Sequence, residues 1–455
     1  MKRAFIFVLS FVLLVIAVGW GYLAYRQYIS YHTLIPKNAA LLIKVNGDAL
    51  IRDIAWNALW NRSYYSGDRD EEKPQFDQKT LKQLGIHVPA NIFLYSADSA
   101  ASYYFGTLAV RDSVALRHFL VHELGMESQW SGQDSFLHSK HLIVNHTASR
   151  VAFALPAMAN NNQVDTAQVL ATLDRLLDAT DMVPVKESDF KTLRTIKGHV
   201  AFTNNEHSGS IQFRDGRILL SMQIRATLPD TVLRRPDFPV DNAASLWLNT
   251  GLGGILGKQI YRIGAYSLHG DSLLNYYRGN LSLEWRGIIT QQDTTITYDY
   301  NDDFELEEQV ELVEKQVPEL YLSIHADTDA LTTYLRKQGF LDSSHTKLSR
   351  DAFPLYQVGA SCIGHHYFQL HTASSPVELP PNGRDNSEIF YMSMDFEKVT
   401  KLEISPVLTR YIQSFDHIEA TGRTLDSDRV EVTGELSLVN PRINSLVQLV
   451  DAFRP

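Results

Sequence analysis

One cysteine in 455 residues, Cys362, rules out an intramolecular disulfide, so the fold rests on its hydrophobic cores alone. Positive charge is the scarcer sign: 42 Lys and Arg stand against 52 Asp and Glu, a formal charge of −10. Such a surface is a poor match for nucleic acid, and no nucleic-acid partner is expected. Disorder-promoting composition is also lacking, since 44% of residues are hydrophobic and only 21% charged. The familiar catalytic and metal signatures are missing too. His118 and His122 stand four apart on a helical pattern, but Glu123 lies outside the pair, unlike H-E-x-x-H. The glycines of 251–259 imitate a phosphate loop, yet Leu252 and Gln259 break its spacing and its magnesium-binding hydroxyl. They suit a close helix–sheet approach instead.

What is present begins with a membrane signal. Lys2 and Arg3 precede an apolar run from Ala4 to Tyr25. In a helix that run spans roughly 33 Å, enough to cross a hydrocarbon core. Ala17-Val18-Gly19 offers a small-x-small cleavage site, but the run continues past it, which favours an uncleaved signal anchor. Trp20, Tyr22, Tyr25, Tyr28 and Tyr31 fall where an interfacial aromatic belt belongs. The expectation is a single-pass inner-membrane protein, its amino terminus cytoplasmic and the bulk of its chain periplasmic. The membrane is then one partner, through the N-terminal helix.

The remainder is too long for one core, and its 21 Tyr and 21 Phe favour sheet. Strand–turn–helix grammar recurs in "ALLIKVNGDALIRDIAWNAL", "YYFGTLAVRDSVALRHFLVHELG" and "ELYLSIHADTDALTTYLRKQG". Looser copies start near Leu246 and Ile389, and a weaker one near Arg150, as if a unit of about 70 residues recurred. Asp112 and Asp327 or Asp329 are placed to cap helices that stop at Gly125 and Gly339. Ser405-Pro406 and Asn440-Pro441 read as further helix starts. Leu116, Phe119, Leu120 and Leu124 define one apolar helix stripe, and Val169, Leu170, Leu173, Leu176 and Leu177 another.

Hairpins lie between the helices: one across Asp215-Gly216, one in "LSLEWRGIITQQDTTITYDY", one in "HIEATGRTLDSDRVEVTGELSLV". The fold class is α+β: repeated strand-turn-helix units with antiparallel hairpins, preceded by one transmembrane helix. We expect a signal anchor and juxtamembrane segment over 1–31, a first α+β domain over 32–230 and a second over 231–455. Proline-rich 227–242 marks the boundary, and the acidic run 301–316 reads as a solvated linker or helix face.

"GASCIGHHYF" (359–368) holds the lone cysteine beside His365 and His366. Alternation puts Cys362 and His366 on one strand face roughly 13 Å apart, too far to share a metal. Gly359-x-Ser361 resembles the start of a nucleophile elbow, but Ile363 occupies the place of its second glycine. The stretch therefore reads as strand, and no catalytic, cofactor-binding or metal-ligating residue is assigned. The candidate binding surface is aromatic: Trp56 and Trp60, four apart on the first helix after the anchor, with Tyr64 and Tyr65 following. Leu50, Ile54 and Ala58 supply a core stripe on the opposite side. Such a helix suits burial between layers, or contact with a partner or the outer membrane leaflet.

"IPKNAALLIKVNGDAL", "YYFGTLAVRDSVALRHFL" and "NPRINSLVQLVDAF" together resemble an uncharacterised group of membrane-anchored envelope proteins typical of Bacteroidota. The resemblance implies a structural likeness over most of the exported chain and carries no catalytic residues. The chain lacks the lipid-attachment cysteine of lipoprotein members. We expect a non-enzymatic, membrane-anchored periplasmic binding or scaffold protein for an envelope protein or apolar ligand, without a cofactor. The alternatives are an envelope lipid carrier and a hydrolase acting on an envelope substrate.

Overall fold

The computed structural model describes residues 17–453 apart from 67–83, 97–101, 132–133, 158–165, 227–233, 264–265, 301–305, 343, 345, 379–387 and 402–411. Two compact units divide the chain: Met1–Asp215 with Arg442–Val447, and Gly216–Pro441 with Gln448–Pro455. Mixed α and β structure runs through both, with antiparallel strand pairing throughout.

In unit 1, helix α1 covers residues 17–30. Strand β1 (Leu34–Pro36) and strand β2 (Leu41–Asn46) follow, then α2 (Gly47–Trp60) and the short α3 (Arg62–Ser66). Next come β3 (Asn91–Ser96), β4 (Tyr103–Ala109) and α4 (Ser113–His118), which runs into a π-turn over Phe119–Glu123. A meander of β5 (Glu127–Ser131), β6 (Asp134–Ser139), β7 (Leu142–His146) and β8 (Arg150–Pro156) leads to α5 (Thr166–Leu177). Strand β9 (Met182–Pro184) pairs with β1, and β10 (Val200–Thr203) and β11 (Ser208–Arg214) complete the unit. The sheet order is β11–β10–β2–β3–β4–β8–β7–β6–β5, the meander joining the sheet through β8 on β4.

Unit 2 contains β12 (Arg217–Arg225), β13 (Ala244–Leu248), α6 (Gly253–Leu256), β14 (Ile260–Ile263), β15 (Tyr266–His269) and α7 (Gly270–Tyr276). Two long strands, β16 (Tyr277–Tyr300) and β17 (Leu306–Ala326), precede α8 (Thr328–Lys337), β18 (Gly359–Ile363) and β19 (Tyr367–His371). Then come β20 (Glu388–Asp395), α9 (Phe396–Thr400), β21 (Phe415–Thr424) and β22 (Arg429–Leu438). Here the order is β12–β22–β21–β20–β13–β16–β17–β19–β18.

One topology is written twice. β2 lies between β3 and β10, and β13 between β16 and β20. β4 and β17 each close the following hairpin and lead into a helix capped by an aspartate, Asp112 or Asp327. Leu41 and Leu246 therefore lie on equivalent strands, as do Phe105 and Leu320. The recurrence of about 70 residues compares strands that are not equivalent; the whole unit is what repeats.

Unit 1 packs α5 on its sheet: Val169, Leu173 and Leu176 meet Leu42, Phe93, Tyr95 and Phe105, closed by Val185, Phe190 and Leu193. The expected α5 stripe is thus core, each such side chain contributing about 1.5–3 kcal/mol. In unit 2, Leu331, Tyr334 and Leu335 of α8 pack on Phe368 and Ala360. Gly339 follows that helix at φ +79°, the left-handed ending that favours glycine.

Several expectations are corrected. Leu124 is exposed and Met126 is buried in its place, because the π-turn shifts the stripe. The acidic run is neither linker nor helix from Leu306 onward; it is the returning half of a long hairpin, Tyr300 opposite Leu306. Correspondingly, 281–300 is one strand rather than a hairpin. A Cβ at Gly251 or Gly253 would meet nothing within 4 Å, so those glycines serve no close approach. The helix expected at Asn440-Pro441 starts at Ser445, and Ser405-Pro406 lies outside the described residues. Among the described residues no helix is long and apolar enough to cross a membrane. The anchor expected over Ala4–Tyr25 lies outside them as far as Ile16, and its remainder is the start of α1.

Candidate functional site

The last turn of α1 is latched to unit 1 by side chains. Arg26 grips both carboxylate oxygens of Asp48 at 2.9 and 3.0 Å and donates to the Val88 carbonyl at 3.1 Å. Gln27 donates to the Asn46 side chain at 3.0 Å, and Asn91 donates to Gln27 at 2.8 Å and to Ser30 at 2.6 Å. This latch holds the helix by one end, while Val18, Trp20, Tyr22, Leu23, Tyr25, Tyr28 and Ile29 stay exposed.

Beside the latch lies a cavity of about 740 Å³, within the range of roughly 300–1,000 Å³ typical of small-ligand sites. One wall is α1, through Tyr22, Tyr25, Arg26, Ile29 and Ser30. The turn after it contributes His32, Thr33 and Leu34, and residues 87–90 a second wall. The ends of β4 and β8 supply Thr107, Leu108, Ala109, Ser149 and Arg150, and Leu176 and Met182 line it from α5 and β9. The lining is apolar over most of its residues. Its basic members are two arginines and two histidines, and no carboxylate is among the lining residues. Ala109 pairs in register with Arg150, and its carbonyl accepts from the His87 backbone N–H at 2.8 Å. Arg150 and His87 therefore flank one residue at the sheet's end.

α2 is amphipathic in the reverse sense. Its one buried residue is Asn57, whose amide donates to the Arg442 carbonyl and accepts from Asn444 N–H and the Tyr65 hydroxyl. Asp53 sits on the same side, facing buried His199 at 3.1 Å. His199 Nδ1 accepts from the Phe213 N–H at 2.9 Å, so its proton is on Nε2, which donates to Asp53. Burial lowers the His199 pKa despite Asp53, consistent with this neutral form. Apolar residues occupy the outward face: Ile51, Leu59, Trp56 at 63% exposure and Trp60 at 74%. Burial between layers, weighed for this helix, is not what the fold uses. Trp56 and Trp60 meet edge to face at 6.0 Å. Tyr64 and Tyr65 are half-buried instead, Tyr65 reaching back to Asn57. None of the four lines the cavity.

"GASCIGHHYF" is strand, turn and strand, with Cys362, His365 and His366 exposed. Among the described residues no three His, Cys, Asp or Glu gather to hold a metal. The exposed rings of His118 and His122 lie 4.5 Å apart, tilted by 42°, and among the described residues no third ligand joins them. The register does create a pairing that sequence reading missed. Buried His371 presents Nδ1 to the Ala373 carbonyl at 2.8 Å, leaving Nε2 to accept from Ser361 Oγ at 3.0 Å. Gly359 permits it, since a Cβ there would strike the His371 ring at 2.4 Å.

No family model matches the sequence, and no curated protein matches it. Solved structures of TP0453 are similar over part of the chain. Its crystal form IV superposes with a TM-score of 0.26 at 11% identity, over 54% of this chain and 97% of that one. Form III gives 0.25 at 10% and form I 0.24 at 9%, with like coverage of this chain. At these scores the likeness carries neither fold nor function across.

Proposed function

We propose that the protein is a non-enzymatic, membrane-anchored envelope protein that binds an apolar ligand in the unit 1 cavity. The supporting observation is that this cavity is walled by α1, the helix that continues directly from the apolar segment before residue 17. In this reading residues 4–25 cross the inner membrane once, with Lys2 and Arg3 cytoplasmic and both units periplasmic. The exposed aromatics of α1 form the interfacial belt, and the outward face of α2 lies against the same leaflet. A ligand leaving the bilayer then meets the cavity first.

Native mass spectrometry of the full chain, released from membranes in a neutral detergent, tests this. The protein is expected to retain an apolar ligand, and Thr107→Trp, which fills the cavity from the same face of β4 as Ala109, is expected to release it. A bare wild-type protein, or equal retention by both, would count against the cavity.

One observation favours a second reading, a hydrolase. Ser361 and His371 have the spacing of a nucleophile and its base, with His371 oriented by a carbonyl. Fluorophosphonate labelling that disappears in Ser361→Ala would support it; absence of labelling leaves the pair a cross-strand polar contact.

A further inference from the structure

We infer that the unit 1 cavity selects an amphiphile with an anionic headgroup, Arg150 and His87 holding the head and the apolar walls the chain. The inference rests on the reading that the cavity binds an apolar ligand, and adds the sign of its headgroup. The first argument is charge complementarity. The chain carries an excess of acids, 52 against 42 basic residues, yet no acid lines this cavity. Arg26 does not supply the free charge, because Asp48 takes it bidentately. Arg150 does: among the described residues its guanidinium makes no ion pair or hydrogen bond, and it is half-buried rather than solvated.

Placement is the second argument. Arg150 is the cross-strand partner of Ala109 and the His87 backbone N–H bonds the Ala109 carbonyl, so both residues line the cavity beside Ala109, His87 at its exposed rim, with Ser149 and Thr107 also in the lining. A guanidinium presents parallel donors that match a carboxylate or a phosphate monoester, and an imidazole N–H can add a third. Ile29, Leu34, Leu176 and Met182 give the acyl chain apolar surface with no competing charge. A neutral head would leave the half-buried Arg150 without its counter-charge, and a phosphocholine head would bring a cation into a lining that has no carboxylate to receive it.

The experiment uses the full chain in neutral detergent and a diazirine analogue of palmitate, with cross-linked peptides located by mass spectrometry. Labelling is expected on the peptides carrying Leu108 and Leu176. Palmitate and lysophosphatidate are expected to compete about tenfold better than hexadecanol and lysophosphatidylcholine. Competition by only one of the two anions supports the inference and identifies carboxylate or phosphate as the head. Arg150→Gln should erase that preference while keeping the labelling, and Arg150→Lys should retain part of it. A thermal melt of each variant confirms folding. Equal competition by neutral amphiphiles would overturn the anionic selection and leave the binding cavity standing. Labelling absent from those peptides in the wild type would overturn both.

Discussion

Units 1 and 2 share a strand order around β2 and β13 but differ in what they build on it. In unit 1 the hairpin beside the central strand is short, β3 of 6 residues and β4 of 7. In unit 2 its equivalents have 24 and 21. β13 pairs with β16 only as far as Trp285, and β19 with β17 only from Tyr321. Beyond those points the two long strands pair with each other, an arm of roughly 45 Å at about 3.3 Å per residue. Arg350 on Asp293 and Lys315 on the Leu355 carbonyl brace it about midway, and further out Val310 and Leu312 are exposed. Unit 1 spends its extra residues on α1, the cavity and the outward-facing aromatics of α2. Hydrogen-bonded pairing with neighbours fixes the common frame, and the connections free of that constraint carry the differences.

Core truncation should separate the units most strongly. Phe368→Ala is expected to destabilise unit 2 by about 3–5 kcal/mol and Leu173→Ala to destabilise unit 1 by about 2–5 kcal/mol. Hydrogen exchange read unit by unit checks this; loss of protection in both units from either change would break the description of two compact units.

A titration sharpens the contrast next. Lys44, 3% exposed on β2, donates to the Leu193 and Ile196 carbonyls at 2.9 Å with no carboxylate partner among the described residues. Burial lowers its pKa from 10.5 to about 8. Below about 8 both folded and unfolded chains hold the proton, and the folded one bears the desolvation cost. Between about 8 and 10.5 only the unfolded chain holds it, so stability rises with pH across that window. The contribution is on the order of 2–3 kcal/mol. Denaturant melts of unit 1 from pH 7 to 10.5 should show the rise, and Lys44→Met should flatten it.

Asn57→Ala comes next, leaving the buried Asn444 N–H without its acceptor at a cost of about 1–3 kcal/mol to unit 1, while the Arg442 carbonyl keeps its bond from Asn61. Trp56→Ala, on the opposite face of the same helix, should change stability by no more than about 0.5 kcal/mol. Equal losses would mean that α2 is held by its aromatics after all. The smallest effect is expected from the arm: replacing 294–312 by Asn-Gly keeps the Asp293–Arg350 brace and should leave the unit 2 melting transition within a degree or two, about 0.5 kcal/mol.

Much of the frame was legible. Asp112 and Asp327 cap helices as their positions promised, the α5 stripe is core, and the 415–438 hairpin forms. These are local matters of cap chemistry, period and turn, which neighbouring residues settle between themselves. Trp56 and Trp60 could be marked as unusual, because apolar residues on both sides of a helix leave one side to explain. Which side is buried could not be read. The answer turned on Asn57 and Asp53 finding Arg442, Asn444 and His199, partners distant in sequence. The acidic run misled for a related reason: its alternation needed the partner strand 277–300 before Glu311 and Glu314 could be seen as exposed positions on a hairpin. Ser361 and His371, ten residues apart, met only through the register of β18 on β19.

By itself, then, the sequence determined the apolar N-terminal segment, the helix ends, the sheet-rich composition and the absence of disulfides, all properties of residues near one another in the chain. Tertiary structure decided the duplication of one topology, the burial of Lys44 and the cavity with its acid-free lining. Those features gather side chains from separate segments, and long-range strand pairing and packing alone bring such segments together.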